Sequence, residues 1–168
     1  MNRVDTFGLL EIADDAHATL RSFTAAQDRF LSFRGGAFLQ AEPAIAAVTE
    51  CVGQIESGVT KLETTIPKLT NRPEAIAGVE ADFCQALGTY LCDLINSMNA
   101  CLDFLIVYRT TIPQFVLVRA WRRWLVKRDF NRYESKRMRS GSDLMMAYSL
   151  YNIAQQATAV YGSKDRQT

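Results

Sequence analysis

Basic and aromatic side chains crowd one stretch of this 168-residue chain. Between positions 119 and 139 stand Arg119, Arg122, Arg123, Lys127, Arg128, Arg132, Lys136, Arg137 and Arg139, nine cations against Asp129 and Glu134. Trp121, Trp124, Phe130 and Tyr133 are interleaved with them. Two partners suit that mixture. A nucleic-acid backbone would release condensed counterions to Arg and Lys while its bases stack on the rings. An acidic membrane would take the same cations at its headgroups and hold Trp at its interface. The candidate anion-binding residues are Arg119, Arg122, Arg123, Lys127, Arg128, Arg132, Lys136 and Arg139. The same composition would be satisfied if both tryptophans were core and the cations paired with the acidic first segment.

Catalytic chemistry finds little footing. The single histidine, His17, rules out a multi-histidine metal site or a histidine pair. Asp14 with Asp15, and Glu80 with Asp82, are one and two positions apart, a spacing that makes helical side chains diverge rather than form a carboxylate dyad. No phosphate-binding glycine loop, dinucleotide fingerprint, nucleophile elbow or paired-histidine zinc motif occurs. No Glu-x-x-His pair is present for a di-iron centre in a bundle. The expectation is a protein without enzymatic activity, cofactor, metal or small-molecule substrate.

The four cysteines, Cys51, Cys84, Cys92 and Cys101, form no CxxC. Three of them lie in one apolar stretch, where a free thiol acts as a small buried hydrophobe. The first fifteen residues turn acidic without a long apolar core, unlike a secretory signal. The longest uncharged run, 144–163, holds Asn152, Gln155, Gln156 and three tyrosines, too polar for a lipid-facing span. These features point to an intracellular, soluble chain able to sit peripherally at a membrane. Outside the basic stretch the chain holds ten basic and sixteen acidic residues, so a net charge of +1 hides a polarised surface.

The elements that must position the basic stretch are helical. At 168 residues and 48% apolar composition the chain is expected to fold as one domain, residues 1–168. Leu9, Ile12, Ala16, Leu20, Phe23, Gln27 and Phe30 step by three or four through a first helix from about Asp5 to Phe33. Asp5 or Thr6 is placed to cap it, and Gly35-Gly36 to end it. Ile45, Val48, Val52, Ile55, Val59, Leu62, Ile66 and Leu69 make a second seam, with Pro43 in its first turn and Pro67 a stop or kink. A third helix runs from Pro73, behind a possible cap at Asn71, to Tyr108 on Ile76, Val79, Phe83, Leu87, Leu91, Leu94, Met98, Cys101 and Leu105. Its last turns are apolar nearly all round, the mark of a central helix. A fourth begins near Gln114, after Pro113, and changes phase near Asp129, where it either breaks or projects. Ser140-Gly141-Ser142 reads as a turn. A fifth helix then spans Asp143 to Tyr161, with Met146, Leu150, Ile153, Ala157 and Val160 as its core stripe. Leu144, Tyr148 and Tyr151 form a second, partly exposed stripe and are the candidate interface residues for a homo-oligomer. No sustained strand alternation appears. The fold class is all-α, a bundle of four long helices plus a fifth, C-terminal one.

The order of these segments resembles the HeLo and HeLo-like helical N-terminal domains of fungal NLR-like proteins. FGLLEIADDAHATLRSF corresponds to their first apolar helix and IAAVTECVGQIESGVTKLETTI to a leucine-stepped second. The stretch RAWRRWLVKRDFNRYESKRMRSGSDLMMAYSLYNIAQQ corresponds to a tryptophan-bearing basic segment and an apolar terminal helix. The resemblance is one of pattern over most of the chain and brings no site residue with it. It implies a regulated bundle that signals or attacks membranes once assembled. Glu11, Asp14 and Asp15 depart from the small, apolar first helix of that group. Helical-virus coat proteins, small bundles that bind RNA through arginines and polymerise through their flanks, are the alternative. Glycolipid-transfer-type bundles are a third, weaker alternative, since their Asp, Asn, Lys, Trp and His set is not recognisable here.

Overall fold

A computed structural model describes residues 6–32, 41–69, 74–109 and 116–164. These form four helices and, among the described residues, no strand: α1 (Thr6–Ser32), α2 (Ala41–Leu69), α3 (Glu74–Arg109) and α4 (Val116–Lys164). Asp5, Gly35, Gly36, Asn71, Pro73, Pro113 and Gln114, where the sequence suggests caps, breaks and starts, lie outside the described residues.

Strict three-four spacing drives the packing. α1 buries Leu9, Ile12, Ala16, Thr19, Phe23, Ala26 and Phe30. Thr19 and Ala26 take the inward places expected of Leu20 and Gln27. The Thr19 hydroxyl is satisfied by donating to the Asp15 carbonyl at 2.9 Å. α2 turns a smaller-residue face inward than its bulky seam suggests. Ala41, Ala44, Val48, Cys51, Ile55 and Leu62 are buried, while Ile45, Val52 and Val59 flank the core and Ile66 is half-exposed. Gly58 continues that inward face, where an added Cβ would stand 3.8 Å from the Ile12 side chain. α2 continues through Pro67 to Leu69, so the proline does not stop the helix but sits in its last turn, where the missing amide donor costs one backbone hydrogen bond.

α3 is the hub. It packs on α1, α2 and α4, which is why Phe83, Leu87, Leu91, Leu94, Met98 and Leu105 are buried on more than one side. Gly78–Val107 is also long and apolar enough, by length and composition, to cross a membrane. A helix surrounded by three others needs the same composition.

The fifth helix is not a separate element. Residues 143–161 continue α4, which runs unbroken for 49 residues, about 73 Å at 1.5 Å per residue. Ser140-Gly141-Ser142 is helical and packs closely on α3. A Cβ on Gly141 would stand 3.3 Å from the Tyr90 ring. Ser140 is buried, and its hydroxyl donates back to the Lys136 and Arg137 carbonyls at 3.2 Å. Small residues that read as a turn serve here as a contact notch. Among the described residues α4 backs only onto α3, and crevices of about 370 and 260 Å³ separate its flank from α1.

Candidate interaction surface on helix four

Continuity of α4 fixes one phase along its length, and two stripes follow. The inner one steps through Phe130, Glu134, Arg137, Gly141, Leu144, Tyr148 and Tyr151. Phe130 and Leu144 pack against the core, and Tyr151 is 1% exposed and stacks on Phe83 with centroids 5.1 Å apart. Tyr148 meets the same Phe83 ring at 6.0 Å while staying partly exposed. Of the three interface candidates, therefore, Tyr151 is withdrawn into the core, Leu144 is half-buried, and Tyr148 alone is exposed.

A partly buried polar knot interrupts this seam. Glu134 accepts a hydrogen bond from Ser97 at 2.8 Å and is paired through both oxygens with Arg137, which lies beside Tyr90. Burial alone would raise the Glu134 carboxyl, but the bonds from Arg137 and Ser97 and the guanidinium charge outweigh it and hold the carboxyl below its ordinary range. Burial would likewise lower Arg137, and Glu134 more than reverses that. Arg137 thus belongs to the α3–α4 joint.

The outer stripe is Trp121, Trp124, Arg128, Arg132, Ser135, Arg139, Ser142, Met146, Leu150 and Ile153, at steps of three and four throughout. Every one of these is exposed. Trp121 and Trp124 show 60% and 57% of their surface, and Met146, Leu150 and Ile153 show 67%, 56% and 63%. Both tryptophans are therefore outside the core. Of the acidic first helix, Glu11 and Asp15 face Lys61 of α2 rather than α4. Arg128 sits over the Trp124 ring at 5.3 Å and bonds Asp129 at 3.1 Å, and Lys136 sits 5.7 Å from the Tyr133 centroid. Arg122, Lys127, Arg132, Lys136 and Arg139 are exposed, Arg123 is half-buried, and Arg119 lies in the first turn of α4.

Sequence reasoning assigned Met146, Leu150 and Ile153 to a core stripe. They are the outward end of α4, and Met138 and Met145 beside them are also exposed. Carrying the Arg128–Arg132–Arg139 line forward without resetting it at Gly141 reaches all three, so the signal was present.

Charge divides along the same lines. α4 carries ten basic and three acidic residues, and α1, α2 and α3 together carry thirteen acidic and five basic ones. None of the acidic residues of α4 lies on the outer stripe. Among the described residues no cluster of three or more His, Cys, Asp or Glu side chains is placed to hold a metal ion. His17 is exposed on the rim of the α1–α4 crevice. Comparison with family models, with curated proteins and with solved structures finds no match for this chain.

Proposed function

We propose that this chain is a non-enzymatic helical interaction and signalling module that self-associates and binds an anionic membrane surface through the outer stripe of α4. The observation that carries this reading is the makeup of that stripe. It holds interfacial tryptophans at one end, arginines in the middle, aliphatic side chains at the other end and no carboxylate. From Trp121 to Ile153 it extends about 48 Å along one unbroken helix, a single line of side chains that a plane could meet. Acidic headgroups offset the arginines, and Trp, Met, Leu and Ile enter the boundary with the acyl chains. RNA would engage the arginines and tryptophans but has no use for Met146, Leu150 and Ile153. The resemblance to membrane-attacking helical domains supports a membrane partner. The exposed Glu11, Asp14 and Asp15 on α1 favour a contact through α4 over one through the first helix.

Co-sedimentation with acidic vesicles, neutral vesicles and single-stranded RNA tests the proposal. Binding to acidic vesicles alone, weakening as salt rises, is expected. Binding to RNA with none to vesicles would replace the membrane by a nucleic acid and favour the coat-protein alternative. Binding to none of the three would remove α4 as an anion-contacting surface.

A further inference from the structure

The crevice of about 260 Å³ between the second half of α1 and α4 is an apolar pocket with a cation at its edge. Its origin lies in the α1 stripe. Ala26 takes the inward place between Phe23 and Phe30, so a methyl group stands where the neighbouring places carry rings. Phe30, Phe104 and Phe130, from α1, α3 and α4, line the pocket as a row of rings with centroids 6.2 and 6.3 Å apart. Val48 and Leu105, both buried, complete the apolar lining.

Three further side chains bring polar groups to it. Lys127 and Asn131 are exposed and stand four residues apart on α4, so they are neighbours on one face at the solvent end of the pocket. Gln27 is half-buried, and among the described residues its amide nitrogen meets the Cys101 sulfur at 4.0 Å, a weak acceptor that leaves donor capacity unused. No carboxylate lines the pocket. Of the acidic residues nearby in the chain, Asp129 is held by Arg128 and Glu134 by Ser97 and Arg137. Glu50 lines the α1–α2 groove instead, and Asp28 and Asp103 are exposed outside the lining.

We propose that this pocket binds a single-chain amphipath with an anionic head, of the medium-chain fatty acid class. The alkyl chain enters among the three rings, and the carboxylate stays at the mouth, accepting from the Lys127 ammonium and the Asn131 and Gln27 amides. Size sets the chain length. An apolar cavity of about 150 Å³ takes a six-carbon ring, so this one takes roughly ten carbons, too few for the two tails of a bilayer lipid. The site goes beyond the surface contact proposed for α4, and it gives a role to Lys127, a cation that the outer stripe leaves out.

Isothermal titration with decanoate, decanol and decyltrimethylammonium, each below its micelle concentration, tests this. One decanoate per chain is expected, bound at least about tenfold more tightly than decyltrimethylammonium. Lys127→Glu should weaken decanoate by about tenfold and leave decanol within about twofold. Asn131→Trp, at an exposed position, sets an indole over the mouth. It should abolish binding of decanoate and decanol with the urea midpoint unchanged, while acidic vesicles still bind through the outer stripe. Decanoate binding that survives Asn131→Trp overturns this pocket as the site, and equal affinity for the two oppositely charged amphipaths overturns the anionic head. The absence of saturable decanoate binding overturns the proposal and leaves the membrane contact of α4 in place.

Discussion

Leu150 and Tyr151 are neighbours in the chain and opposites in the fold. Tyr151 is 1% exposed, stacked on Phe83 at the α3 joint, and Leu150 is 56% exposed on the outer stripe. The same contrast runs the length of α4. Its inner stripe is an assorted seam of aromatic rings, a glycine notch and an ion pair, each matched to something on α3. Its outer stripe is chemically ordered, aromatic then basic then aliphatic, and among the described residues it packs against no other helix. An inner face that varies residue by residue is shaped by packing. An outer face that keeps two tryptophans, Met146, Leu150 and Ile153 in water is not explained by packing within the fold, and it is the basis of the proposed partner.

The sharpest way to break this contrast is to truncate the two neighbours in turn. Tyr151→Ala leaves an unfilled space against Phe83 and should cost about 3–5 kcal/mol in a urea melt. Leu150→Ala should stay within about 0.5 kcal/mol, as exposed positions do. Equal losses would mean that the outer stripe is core.

The ion pair of the inner stripe comes next. Arg137→Met leaves the Glu134 carboxylate partly buried with only Ser97 as a hydrogen-bond donor, and should cost about 2 kcal/mol at neutral pH. That is less than the roughly 3–5 kcal/mol of a fully enclosed pair, because both side chains keep some contact with water. The sign of the pH effect follows from the lowered Glu134 pKa. Its contribution is present above the ordinary carboxyl value of 4.5 and is lost as pH falls through the lowered one. The gap between wild type and Arg137→Met should therefore narrow in melts below pH 4.5. A gap that widens there would contradict the assignment of Glu134 as the partner.

Gly141 tests the notch that joins the halves of α4. Gly141→Val drives side-chain atoms into the Tyr90 ring, already 3.3 Å from a bare Cβ, and should destabilise by about 1–3 kcal/mol. If residues 140–142 were an open turn, the same change would be nearly silent.

How far the residues disclose this arrangement differs by element. The α1 and α3 stripes were legible because their bulky side chains keep one phase. On α2 the pattern misled. Ile45, Val52, Val59 and Ile66 outweigh Ala41, Ala44 and Cys51 in hydrophobicity, but close helix approach selects the small side and leaves the large one on the flank. At Ser140-Gly141-Ser142 a tight helix contact and a turn ask for the same residues, so composition alone could not choose. Starting a new helix there reset the phase, which put Tyr151 outside and Leu150 inside. The basic side chains of α4 were visible from charge alone. That Arg137 leaves the surface group depends on Glu134, Ser97 and Tyr90 meeting it, which no spacing rule reveals.

Thiol reactivity gives a smaller readout of the same inside-outside division. Burial, with Glu80 nearby, pushes the Cys84 thiol up to about 11, and burial pushes Cys101 up to about 11 as well. Burial also raises Cys51, whereas Cys92 is exposed beside the α2–α3 groove. One thiol of four should react rapidly with an aromatic disulfide reagent in the native protein, and Cys92→Ser should abolish that phase. Two or more fast thiols would show that the α3 core opens readily.

The outer stripe itself is tested by the chain's own chromophores. The protein has two tryptophans, Trp121 and Trp124, and both lie on the stripe. Their emission reports on that surface alone. Titration with acidic vesicles should shift the emission to the blue as both rings leave water, and neutral vesicles should leave it unchanged. Replacing Arg128, Arg132 and Arg139 together by Glu should abolish the shift while the urea midpoint moves little, because all three side chains are exposed. Vesicle binding without any shift, or a shift that persists in the charge-reversed protein, would contradict the account that α4 meets an anionic surface through this stripe.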